Sequence, residues 1–173
     1  MSKTTENLNA AFAGESMARN KYTYWATVAR KEGYHYIAKI FEETAANEVR
    51  HAKDHFQRLK GIGDTLANLK AAAEGEDYET TTMYPGFAEQ ADKDGEKEIA
   101  MLFRQIAKVE AKHRDRYKKL LEMVEKKTVW KREKPIKWKC DQCGYIHEGT
   151  EPPETCPCCK HPREHYEPVN MDF

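Results

Sequence analysis

The sequence predicts a mainly α protein, a four-helix bundle followed by a small, turn-rich β/loop domain. Three observations lead there. The first 134 of the 173 residues contain no cysteine and only one proline, Pro85, and are rich in Ala, Glu, Lys and Arg. Within them apolar residues recur every three or four positions, the period of one buried helix face. All five cysteines lie between Cys140 and Cys159, and six of the seven prolines lie at Pro135 or later. The chain is therefore divided into residues 1–134 and residues 135–173.

The first helix is expected from about Thr5 to Glu32, stopped by Gly33, with Leu8, Phe12, Met17, Tyr22, Trp25, Val28 and Ala29 on one face. The second runs from about Tyr36 to Leu59 and ends at Gly61-Ile-Gly63. The third lies between about Glu76 and Asp94 and ends at Gly95. The fourth runs from about Glu96 to Lys126, with Ile99, Leu102, Phe103, Ile106, Val109, Tyr117, Leu120 and Leu121 inward. Strong helix formers summed over such windows support each assignment. Tight turns make the first and last pairs antiparallel hairpins. Residues 64–75 form the long middle connection, with room for one short helix. Four helices with one long crossover is the ferritin-like pattern, and a plain up-down-up-down bundle is the alternative. Lys127 to Pro135 reads as a charged, extended tether, because proline discourages helix continuation. The last 39 residues are too few for a self-sufficient core and need a staple.

Composition excludes some functions. Twenty-nine basic residues balance twenty-nine acidic ones, whereas a nucleic-acid binder usually carries a basic excess. The longest apolar runs, such as Ile99 to Phe103, fall far short of the roughly 20 residues that span a bilayer. Met1 to Glu6 has no apolar core, so no signal peptide and a cytoplasmic setting are expected.

The staple is Cys140-Asp-Gln-Cys143 with Cys156-Pro-Cys-Cys159. Two such knuckles can set four thiolates around one metal, zinc or iron. An odd cysteine count argues against disulfides. Cys158, in the variable position, reads as a spare thiol, and His147, His161 and His165 read as solvated.

Two Glu-x-x-His tetrads occur 62 residues apart, Glu48-Val-Arg-His51 and Glu110-Ala-Lys-His113. Each sets a carboxylate and an imidazole one turn apart on one helix face. Di-metal carboxylate bundles combine two such motifs with one glutamate from each remaining helix. In an antiparallel hairpin, residues equally far from the turn share a height. Glu110 is 15 residues past Gly95 and Glu79 is 16 before it, while Glu48 is 15 past Gly33 and Glu15 is 18 before it. The expected set is Glu15, Glu48, His51, Glu79, Glu110 and His113, with Glu15 buried. Oxygen-rich ligation of this kind favours iron or manganese over zinc. His35 and His55 read as surface residues.

Together these residues resemble the rubrerythrin family over essentially the whole length. The resemblance is carried by Ala13-Gly14-Glu15-Ser16-x-Ala18-Arg19-Asn20-x-Tyr22, Asn47-Glu48-x-x-His51-Ala52, Met83-Tyr84-Pro85, Glu110-x-x-His113 and rubredoxin-like cysteine knuckles. It implies a ferritin-like di-iron domain followed by a rubredoxin-like domain with one iron on Cys140, Cys143, Cys156 and Cys159. It further implies reduction of hydrogen peroxide to water, with electrons from NAD(P)H through a reductase or a donor rubredoxin, in a homodimer or higher oligomer. By the same resemblance Glu48 and Glu110 bridge the irons, Glu15 and His51 belong to one, and Glu79 and His113 to the other. Tyr22 and Tyr84 hydrogen-bond beside the ligands. Many family members carry another glutamate one turn beyond the Glu79 position, where this chain has Thr82. On that alignment His51 is expected to stay bound in both redox states, with water or Thr82, or a different carboxylate such as Glu76, filling the oxidised site. A ferroxidase or iron store using the same ligands, and a zinc-knuckle interaction module, remain as alternatives.

Overall fold

The computed structural model describes residues 2–170. The chain forms two compact units that divide between Gly63 and Asp64.

In the first unit, α1 (Lys3–Lys31) and α2 (His35–Arg58) form an antiparallel hairpin. Ser2 opens α1 by accepting a hydrogen bond from the Thr5 amide at 3.2 Å, satisfying one of the free amides of a helix start. Gly33, at φ 87°, makes the turn. The hairpin seam is lined by small residues: Ala26, Ala29 and Ala38 are buried, with Phe41 packed against them. Larger apolar residues stay outside, and Met17 and Val28 are each 53% exposed.

The second unit opens with α3 (Thr65–Tyr78), whose Asp64 side chain accepts from the Ala67 amide at 2.8 Å. Helix continues through a π turn (Glu79–Met83) into α4 (Tyr84–Lys93). The short helix for which residues 64–75 had room is present from Thr65 but runs on to Tyr78, so that only 59–64 join α2 to α3. Gly75, a helix weakener by about 1 kcal/mol, lies within α3 and does not end it. The π turn admits Pro85, which has no amide hydrogen, into the first turn of α4. Gly95, at φ 82°, turns the chain into α5 (Lys97–Glu125), which packs on α3 and α4. Phe103 meets Tyr84 and Phe87, with ring centroids 6.0 and 5.7 Å away. Ile99, Leu102 and Val109, expected inward, are exposed.

After α5 comes a three-stranded antiparallel sheet, β1 (Ile136–Cys140), β2 (Ile146–Gly149) and β3 (Tyr166–Pro168), in the order β2-β1-β3. Trp138, Cys140, Cys156 and Tyr166 are its buried core, and the Trp138 indole N–H donates to the Gly149 carbonyl at 2.9 Å. The segment read as a free tether is folded onto this domain. Trp130 packs against the core, the Arg132 amide donates to the Thr150 carbonyl at 2.8 Å, and its guanidinium lies 5.2 Å from the Trp138 ring centre. Among the described residues no helix is long and apolar enough to cross a membrane.

Candidate metal centres

Two triads with nearly the same geometry lie on the two units. On the α1–α2 hairpin, His51 Nδ1 is 2.8 Å from Glu48 Oε2 and 3.8 Å from Glu15 Oε1. On α3 and α5, His113 Nδ1 is 2.7 Å from Glu110 Oε2 and 3.7 Å from Glu76 Oε2. In each triad one ligand atom per residue lies within 4.8 Å of the others. The i, i+3 spacing of each Glu-x-x-His sets the short distance, and packing of the facing helix brings in the third carboxylate.

The structure gathers five of the six expected bundle residues into these two triads, and brings Glu76 to Glu110 and His113. Glu79 stands one turn further on, at the start of the π turn. Counting back from Gly95 had pointed to Glu79. A π turn closes i→i+5 bonds and takes up residues without the full α-helical rise, so the matching height falls further upstream. Glu15 keeps 31% of its side chain exposed and is half-buried, where the sequence suggested full burial.

The residues fit a bound cation. Glu76 Oε2 is buried without a hydrogen-bond partner, an arrangement that is unfavourable unless something else satisfies it. Burial first, and then the neighbouring Glu110 charge, raises the Glu76 pKa, against the lowering effect of His113. Tyr84 is raised by burial and by the charges of Glu79, Glu110 and Glu76, so its phenol stays protonated beside the acids. Tyr22 stacks near Phe41, at 6.2 Å between centroids, and near Trp25 at 5.6 Å. His55, read as a surface residue, is half-buried with Nδ1 unpartnered.

The third group is Cys140, Cys143, Cys156 and Cys159. Gly144 (φ 76°) and Lys160 (φ 64°) each take the left-handed conformation after a knuckle, and their amides donate to the carbonyls of Cys140 and Cys156 at 2.9 and 3.0 Å. Cys140 and Cys159 sulfurs are 3.7 Å apart, as are those of Cys143 and Cys156. A disulfide needs about 2.05 Å, whereas a tetrahedron with metal–sulfur bonds of about 2.3 Å has edges of about 3.8 Å. Burial opposes ionisation of Cys156, but the Cys159 and Cys158 amides and the Tyr166 hydroxyl beside it outweigh that and bring it down to about 6. The Tyr145 amide favours the Cys143 thiolate, yet burial and the three crowding sulfurs push that thiol up. Four sulfurs this close ionise together only around a cation. His161 Nδ1 lies 3.3 Å from Cys159 Sγ, a contact not foreseen from sequence, while Cys158 is exposed outside the cluster.

Comparison with known proteins agrees with these two kinds of centre. Residues 6–121 match the family model described as rubrerythrin, and residues 138–167 match that of the rubrerythrin rubredoxin-like domain. The chain belongs to the rubrerythrin family. It is 48% identical to a rubrerythrin of Porphyromonas gingivalis, over 99% of this chain and 92% of that one. It is 46% identical to one from Clostridium perfringens (95% and 93% covered) and 43% identical to one from Nitratidesulfovibrio vulgaris (99% and 97% covered). As a rubrerythrin-family member it is an iron protein with ferritin-like di-iron residues and a rubredoxin-like knuckle.

Proposed function

We propose that this protein is a peroxidase that reduces hydrogen peroxide to water, H₂O₂ + 2e⁻ + 2H⁺ → 2H₂O, with NAD(P)H as the ultimate electron source. The observation that carries the reading is the pairing, on one chain, of two matched Glu/Glu/His triads with a four-thiolate knuckle. The carboxylate triads suit a two-metal centre that meets the oxidant, and the thiolates suit a one-electron relay. When bound, iron supplies the electrons and the Lewis acidity that polarises the peroxide.

The chain's own residues do the rest. Glu15, Glu48 and His51 would hold one metal ion, and Glu76, Glu110 and His113 another. With Glu76 in that set, the residue one turn on is Glu79. The chain then carries a carboxylate at the place where many family members have one, and Thr82 gives no reason to fix His51 as a permanent ligand. Tyr84, kept protonated by burial and surrounding acids, would act as a hydrogen-bond donor to the peroxide. Residues 135–173 accept electrons from a donor rubredoxin or a reductase and pass them on singly. A ferroxidase using the same carboxylates would need no such relay, so the knuckle favours the peroxidase.

The test is anaerobic titration of the reduced, iron-loaded protein with hydrogen peroxide, followed by its visible spectrum. The proposal expects one peroxide consumed per bundle centre with two electrons lost. A reaction with dioxygen alone, or a colourless zinc-loaded protein, would sink it.

A further inference from the structure

Tyr166 opens β3 and is 4% exposed, packed with Trp138, Cys140 and Cys156 in the core of the small sheet. Backbone pairing fixes its place. In the β1–β3 register Tyr166 stands opposite Cys140, and directly opposed residues put their side chains on the same face. Both flanks of the pair are tied down as well. The Asp141 amide donates to the His165 carbonyl at 2.8 Å, and the Val169 amide to the Lys137 carbonyl at 2.9 Å. Glu167, next along the strand, is exposed, so Tyr166 points inward. Its hydroxyl is thereby carried to the second knuckle, beside Cys156 Sγ.

A phenyl ring would fill this core equally well. The hydroxyl adds a burden, because Tyr166 Oη is buried and makes no hydrogen bond, which is unfavourable in an apolar core. A neutral thiol is only a weak acceptor. A metal-bound thiolate is negatively charged, and hydrogen bonds to ionised acceptors are roughly twice as strong as neutral ones. The hydroxyl hydrogen turns about its C–O bond, so it can be aimed at the sulfur without moving the ring. Burial first, and then the neighbouring Cys156 sulfur, raises the Tyr166 pKa. The group beside the sulfur is therefore a donor and not a phenolate.

We propose that the Tyr166 hydroxyl donates a hydrogen bond to the Cys156 thiolate when the knuckle holds its metal, and that this bond raises the reduction potential of bound iron. The inference rests on the reading of the knuckle as a one-electron iron centre. Four thiolates around ferric iron leave one net negative charge, and the arriving electron adds a second. A donor aimed at a sulfur stabilises the more negative form more strongly, so it favours the reduced centre. The electron goes to the metal and the proton stays on the phenol. Tyr166 acts through Cys156 and is a positioning residue.

Tyr166→Phe keeps the ring and removes only the oxygen, so the sheet keeps its core. Full-length wild type and variant, each loaded with iron, are reduced stepwise in a spectroelectrochemical cell while the thiolate-to-iron absorption is followed. The equilibrium constant for one-electron reduction of the variant's knuckle should fall about tenfold, a drop of about 59 mV. The bond itself can be read without iron. In full-length wild type loaded with a magnetic cadmium isotope, the Tyr166 hydroxyl proton should resist exchange with solvent and show a scalar coupling to the metal through Cys156 Sγ. Both signals should vanish in the variant. An unchanged potential overturns the tuning role, and an uncoupled, freely exchanging hydroxyl proton overturns the hydrogen bond. Cadmium coupling in a protein whose knuckle takes up no iron would uphold the bond and refute the iron reading instead.

Discussion

Replacing Cys143 with serine separates the two kinds of chemistry, and the structure explains the choice of residue. Cys140 and Cys156 are fully buried core residues, so changing them would confound metal loss with unfolding. Cys143 is exposed, and an exposed substitution alters packing stability by only about ±0.5 kcal/mol. What it removes is one of four thiolates, with its sulfur 3.7 Å from that of Cys156. Losing an outer partner of a metal ligand typically costs about 10–100-fold, and losing a ligand should exceed that. NAD(P)H-coupled peroxide turnover is therefore expected to fall by more than about 100-fold. A single oxidation of the chemically reduced bundle centre, followed anaerobically by stopped flow, should keep its wild-type rate. Equal loss of both activities would refute the division of labour, and so would undiminished coupled turnover.

Other consequences follow from the same geometry. Glu76→Gln removes a carboxylate that the structure sets beside Glu110 and His113 and should lower bundle iron by elemental analysis, whereas Glu79→Gln should leave the reduced protein fully loaded. Trp138→Ala empties the centre of the small sheet and should cost about 3–5 kcal/mol of local stability, seen as faster loss of the thiolate metal on heating with helical circular dichroism unchanged. Zinc titration of the metal-free protein at pH 7 should release at least two protons, because Cys143 and Cys159 are both held above the ordinary thiol range and must lose theirs to bind. Protons leave on binding, so affinity rises with pH, by about 100-fold per unit for two protons, and weakens on acidification. A slope below tenfold per unit would contradict the crowded-thiol account.

Much of the candidate site was legible because it is local. Glu48 with His51, Glu110 with His113, and each cysteine knuckle are three residues apart, and backbone geometry alone turns such pairs toward one another. The segment from Thr65 to Lys93 was harder to read. Gly75 looked like a break, yet α3 passes through it and a π turn carries the helix past Pro85. Trp130 and Arg132 read as tether because nothing in their own charged stretch shows that they would fold back on the small sheet; the partners of Arg132, Trp138 and Thr150, lie in the folded domain.

The sequence by itself determined the two materials of this protein, carboxylate- and imidazole-bearing helices and a thiolate knuckle, because helix period and ligand spacing are properties of short stretches. Only the tertiary structure decided which carboxylate joins Glu110 and His113. Glu76 and Glu79 lie one turn apart on the same helix face, so spacing cannot choose between them, and the packing of α3 on α5 can. It also showed that the chain between α2 and α3 is short, with Leu59 closing α2 and Asp64 capping α3.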